Sequence, residues 1–169
     1  MAAEYERTYE RIMLLIQAHQ PFDTFLAEGE GVPEESVLEA ERVLGVSLPP
    51  SFRWYLTHYG SGVFHAQELF GLMGDPEDFD EKMASPSIVY HTLLKRKSSG
   101  LANHYVCLMS NDGEKFFLDT SRRNSSGENP VVRVDLDDPG CNKIDRAELY
   151  AEDFAAFLLR YVEFMIPDL

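Results

Sequence analysis

Cysteine, basic charge and long apolar runs are all scarce in this 169-residue chain. The two cysteines, Cys107 and Cys141, are too few for a disulfide framework, and Cys107 lies within an apolar run. Both are expected as reduced thiols, one a small buried hydrophobe and the other a loop residue. No stretch approaches the ~20 consecutive apolar residues of a membrane-spanning helix. The N-terminal MAAEYERTYER carries charges where a secretory signal needs an apolar core. The expectation is a soluble, cytoplasmic protein with no membrane partner. A domain of about 150 residues buries roughly 70% of its unfolded surface, so one domain of this size holds together without staples.

Fifteen basic residues stand against 29 acidic ones, a net charge of −14. Gripping phosphates needs the opposite sign, which argues against nucleic-acid and anionic-membrane binding. An acidic surface instead steers cationic partners toward it, although the same charge also serves solubility alone.

The common mechanism-bearing motifs are missing too. There is no G-x-S-x-G elbow, no glycine-rich phosphate loop with its lysine, no H-E-x-x-H and no paired C-x-x-C. His104 lies three residues before Cys107, but a nucleophile pair is normally assembled from sequence-distant residues. His58 and His65 flank a Gly-Ser-Gly turn without a third ligand at metal-binding spacing. Neither pair makes a site. No catalytic residue, metal site or cofactor is expected, and the chain is read as a non-enzyme.

What is present is strong helix and turn punctuation. In residues 45–72, GVSLPPSFRWYLTHYGSGVFHAQELFGL, Leu48, Pro49 and Pro50 end one helix and open the next. Phe52, Tyr55, Leu56 and Tyr59 then form an apolar stripe. Gly60 and Gly62 stop that helix, and residues 67–72 read as a short extended segment. Trp54, the only tryptophan, sits beside the stripe, as a core flank in preference to an exposed anchor.

Elsewhere the pattern is α+β. A helix is expected over residues 5–19 with Tyr9, Ile12, Leu15 and Ile16 on one side, and a turn-rich connection over 21–32. The next helix starts at Pro33, carries Glu34 and Glu35 in its first turn, buries Val37, Ala40 and Leu44, and closes at Gly45. Ser85 and Pro86 predict a capped helix through Leu93, followed by Lys95, Arg96 and Lys97 and ended by Gly100. Residues 105–109 and 114–119 flank Asn111, Asp112 and Gly113, which tolerate the positive φ of a tight hairpin. Residues 130–136 form a β-branched strand stopped by Asp137, Asp138, Pro139 and Gly140. A final helix over 151–165 carries Phe154, Phe157, Leu158, Tyr161, Val162 and Met165 on one stripe.

The segment PEESVLEAERVLG, the "LG-x-x-LP" turn after it, the proline-opened helix and the hairpin SNDGEKFFLDTS follow one another in the order seen in the SUKH superfamily. The chain resembles that superfamily, which includes the Smi/Knr cell-wall-assembly regulators and many bacterial immunity proteins. The resemblance implies one α+β domain, helices packed on one face of a mainly antiparallel sheet with a C-terminal helix. Residues 33–169 form its SUKH-like part and residues 1–32 an N-terminal helix and connection. It further implies a protein that binds and neutralises a cognate, basic bacterial toxin, a nuclease among the candidates, or alternatively a regulatory or scaffolding module. A monomer or weak dimer is expected.

Residues 1–32, the acidic insert at 74–81 and the polar loop at 121–129 fall outside the resemblance. In the insert, Asp75, Glu77, Asp78, Asp80 and Glu81 surround Phe79. Clustered carboxylates can hold hard cations, but Pro76 and Phe79 interrupt the alternation a calcium loop needs. The open alternatives are a solvated loop face, a weak cation site and a docking surface with Phe79 as anchor. Asp135, Asp137 and Asp138 make a smaller patch with the same ambiguity. Both patches are the expected partner-binding residues.

Overall fold

The computed structural model describes residues 4–19, 24–25, 31–64, 67–73, 87–110, 114–135 and 147–166. Helix α1 (Glu4–Ala18) buries Tyr9 and Ile12, with Leu15 and Ile16 packed against the core beside them. Strand β1 (Thr24–Phe25) interrupts what the sequence marks only as a connection. Helix α2 (Glu34–Leu44) then buries Val37, Ala40 and Leu44 and ends at Gly45, whose φ of 67° is the left-handed conformation that favours glycine.

The turn after Gly45 is closed by a side chain. Glu41 Oε1 accepts the Leu48 backbone N–H at 2.7 Å and pairs with Arg53 at 2.6 Å. Arg53 also pairs with Glu34, so both ends of α2 are tied to helix α3 (Pro50–His58). Pro50 opens α3, and Phe52, Tyr55, Leu56 and Tyr59 are buried as the stripe predicts. Two short strands follow, β2 (Gly62–Phe64) and β3 (Gln67–Leu69). Gly71 lies so close to the Gly60 carbonyl that a Cβ there would collide with it. The Leu72 N–H donates to that same carbonyl at 2.9 Å.

Helix α4 (Ile88–Ser99) begins later than expected and ends, as expected, at Gly100. Its cap is Ser87, whose hydroxyl accepts the Tyr90 N–H at 3.2 Å, while Ser85 and Pro86 lie outside the described residues. Its last turns are tied to the rest of the fold. Arg96 donates to the Leu44 carbonyl at 2.7 Å and to Asn103 O at 2.5 Å, placing a cation on the exposed carbonyl end of α2.

Strands β4 (Tyr105–Ser110), β5 (Glu114–Asp119), β6 (Val131–Asp135) and β7 (Glu148–Ala151) complete a seven-stranded sheet whose spatial order is its sequence order, every neighbouring pair antiparallel. The pairing of β4 with β5 is the expected hairpin, and Asn111, Asp112 and Gly113 themselves lie outside the described residues. A register shift interrupts β4 between Cys107 and Met109. There the Cys107 N–H donates to the Thr92 hydroxyl at 2.9 Å, so α4 satisfies a backbone group of β4.

Helix α5 (Phe154–Met165) starts three residues later than expected because β7 occupies the chain up to Ala151. Phe154, Phe157, Leu158, Tyr161 and Val162 are buried, and Met165 is partly so. Phe116 of β5 meets Phe157 at 5.2 Å and Tyr161 at 6.0 Å between centroids, the tilted and edge-on geometries aromatic pairs favour. Successive strand residues point to opposite faces, yet Phe116 and Phe117 are both buried. The sheet is therefore covered on both faces and not on one.

Candidate partner-binding groove

Of the residues expected to bind a partner, Asp75, Glu77, Asp78, Phe79, Asp80, Glu81, Asp137 and Asp138 lie outside the described residues. Asp135 closes β6, its backbone paired opposite Glu114. What the structure describes is the base of the longer acidic segment. Gly71 and Ser87 form a parallel bridge, and the Ile88 N–H donates to Gly71 O at 2.9 Å. Gly71 and Ser87, which flank the 74–86 segment in the sequence, are thus held together.

A groove of about 630 Å³ lies between α1 and α3. From α1 come Glu6, Glu10, Met13 and Leu14, a stripe at i, i+4, i+7 and i+8 on one side of the helix. Trp54 and His58 come from α3. Tyr9 stacks on the indole at 4.4 Å and His58 at 3.8 Å. Trp54 is the core flank that was expected, partly buried and packed on the core, and it also walls the groove. His58 is held in place by its Nδ1, 2.8 Å from Trp54 O. At the lip, Leu14 is 66% exposed.

The groove rests on a buried polar support. Tyr9 donates its hydroxyl to Ser51 O at 3.1 Å, fixing α1 against the first turn of α3. Ser51 is in turn bound by Glu128, from the polar loop 121–129. Asn124 Oδ1 accepts the N–H groups of Ser126 and Glu128 at 2.9 and 3.0 Å, and Arg123 donates to Ser47 O at 3.0 Å, so this loop is built to deliver Glu128. Burial raises the Glu128 carboxyl, with Asp153 adding to it, against the lowering effect of the Ser51 hydrogen bonds. Burial also pushes the Tyr9 phenol well above its usual range, with smaller contributions from Tyr55 and Glu128.

Cys107 is fully buried and its thiol is pushed up to about 12 by desolvation, which keeps it protonated and unreactive at neutral pH. The His104 ring lies tilted against Tyr105, their centroids 4.2 Å apart. Among the described residues, no group of three or more His, Cys, Asp or Glu side chains is placed to hold a metal, and no helix is long and apolar enough to cross a membrane. The site offers apolar contact and negative charge.

The model of the SUKH_5 family, described as SMI1-KNR4 cell-wall, matches residues 12–163. The chain belongs to the SUKH superfamily. Its SUKH match takes in α2, α3, the whole of β2 to β7 and nearly all of α5. Glu6 and Glu10 precede the matched span, which begins within α1. Sequence reading passed over the groove because the α1 stripe turned to the core, Tyr9 and Ile12, is the stronger signal. The second stripe acquires meaning only when Trp54 is placed beside it.

Proposed function

We propose that this SUKH protein is a non-catalytic immunity protein that binds a cognate bacterial toxin in the cytoplasm and blocks it by steric occlusion and charge complementarity. The observation that carries the reading is the conjunction of SUKH membership with a net charge of −14. A toxin that cleaves nucleic acid must present basic charge to phosphates, and an acidic binder complements that charge. The same charge disfavours nucleic acid as a ligand of the SUKH protein itself.

The acidic residues 75–81 with Phe79, and Asp135, Asp137 and Asp138, are proposed contacts. The clamp between Gly71 and Ser87 supports the first, since a segment anchored at both ends loses less freedom on docking. The test is co-expression with the product of the neighbouring reading frame. Suppressed toxicity and a complex weakened by salt support the proposal. Association indifferent to salt, or no suppression together with tight binding to an endogenous cell-wall regulator, moves the function to a regulatory module.

Reversing Asp78 and Asp80 to Lys separates the surfaces. Folding should be unchanged, because exposed charges contribute little to stability, while toxin association slows and weakens. Unchanged affinity there with a loss on reversing Asp137 and Asp138 places the contact beyond β6.

A further inference from the structure

The α1–α3 groove joins two recognition chemistries, apolar surface and negative charge. Leu14 and Met13 supply apolar surface on α1, and Trp54 supplies it on α3. Tyr9 and His58 both stack on the indole, which limits the aromatic face left for a cation. A cation entering would be met by the carboxylates of Glu10 and Glu6, about one and two helical turns from the apolar pair.

We infer that the groove receives a basic amphipathic segment of the protein partner, an apolar side chain seating against Leu14 and Trp54 while a lysine or arginine meets Glu6 and Glu10. This rests on the reading that the partner is a basic protein. A second copy of the chain is disfavoured as occupant: the contact would bring together two molecules each of net charge −14. The groove is continuous with the Tyr9, Ser51 and Glu128 support, so its two walls are held at fixed spacing before any partner arrives.

Trp54 is the sole tryptophan, and its emission therefore reports on this groove. The full chain is titrated with a synthetic amphipathic helical peptide of leucine and lysine, and with the same peptide carrying glutamate for lysine. The expected result is a change in Trp54 emission with the lysine peptide alone, weakened by salt. Leu14→Ser and the double variant Glu6→Gln with Glu10→Gln should each weaken it by about tenfold or more, with the folding of each variant verified by its thermal melt. No binding, equal binding of the glutamate peptide, or full binding to Leu14→Ser overturns the inference. Concentration-dependent self-association abolished by Leu14→Ser also overturns it, giving the groove to a second copy.

The two readings fail separately. A toxin bound equally by the wild-type chain and Leu14→Ser removes the groove and leaves the immunity function standing. Peptide binding with the expected variant losses, but no toxin captured by the wild-type chain, removes the immunity function and leaves the groove.

Discussion

Glu128 holds the start of α3 through Ser51, 77 residues away in sequence: one carboxylate oxygen accepts the Ser51 N–H at 3.0 Å and the other accepts its hydroxyl at 2.6 Å. Helix starts leave several N–H groups without intrahelical partners, and the helix dipole favours an anion there. Local capping residues usually serve this purpose, but Pro49 has no side-chain donor or acceptor to offer. A distant glutamate takes the role.

This cap makes stability pH-dependent with a definite sign. Glu128 is raised above its ordinary value of 4.5 in the folded protein. Below that value the carboxyl is protonated in both states and its contribution is fully present. As pH rises the unfolded chain releases the proton first, so this contribution falls until the folded carboxyl has also titrated. Glu128→Gln should abolish that fall. Urea denaturation of both proteins at about pH 4 and about pH 7 should show the stability gap moving in favour of the variant with rising pH; a gap independent of pH refutes the assignment.

Leu158 is fully buried on α5. Replacing it with Ala should cost about 2–5 kcal/mol, read as a lower midpoint with unchanged slope in denaturant. A cost near zero would mean that α5 does not form the core described.

Two glycines should differ in the reason for their sensitivity. At Gly45 a methyl group meets nothing within 4 Å but the backbone is left-handed, so Gly45→Ala should cost about 1–2 kcal/mol. At Gly71 a Cβ strikes the Gly60 carbonyl, and Gly71→Ala should be the more damaging, with β3 and the start of α4 losing amide-exchange protection first. Equal costs would contradict the close approach.

Cys107 should resist thiol-alkylating reagents in the native protein at neutral pH and react after denaturation, as followed by peptide mapping. Its burial and its raised pKa point the same way. Rapid native labelling would contradict both.

The elements legible in the sequence are those whose signals are local. Gly45, Pro50 and the Phe52, Tyr55, Leu56 stripe specify α2, the turn and α3 without reference to the rest of the fold. The β4–β5 pairing and the α5 stripe are similarly self-contained. Strands β1, β2 and β7 were not legible: β1 has two residues, β2 has three, and Glu148 and Leu149 of β7 are exposed, so no alternation marks them. The cap of α4 was displaced by two residues because Ser85 and Ser87 are equally good caps in isolation. For the site, net charge was readable at once. The groove was not, since Leu14 and Trp54 are 40 positions apart and nothing in either neighbourhood announces the other.

The sheet adds its strands in the order in which the chain is made, which keeps most strand pairings near in sequence and favours rapid assembly. The first helix is the exception. Helix α1 packs on α5, joined at the surface by Arg11 and Glu163, so the first of the described elements completes its packing against the last. During translation its buried stripe can meet α3 but lacks α5, and a chain interrupted before α5 would leave part of the core exposed. Closure of the molecule is thereby delayed: the groove wall carried on α1 takes its final place only once the chain has been made through α5.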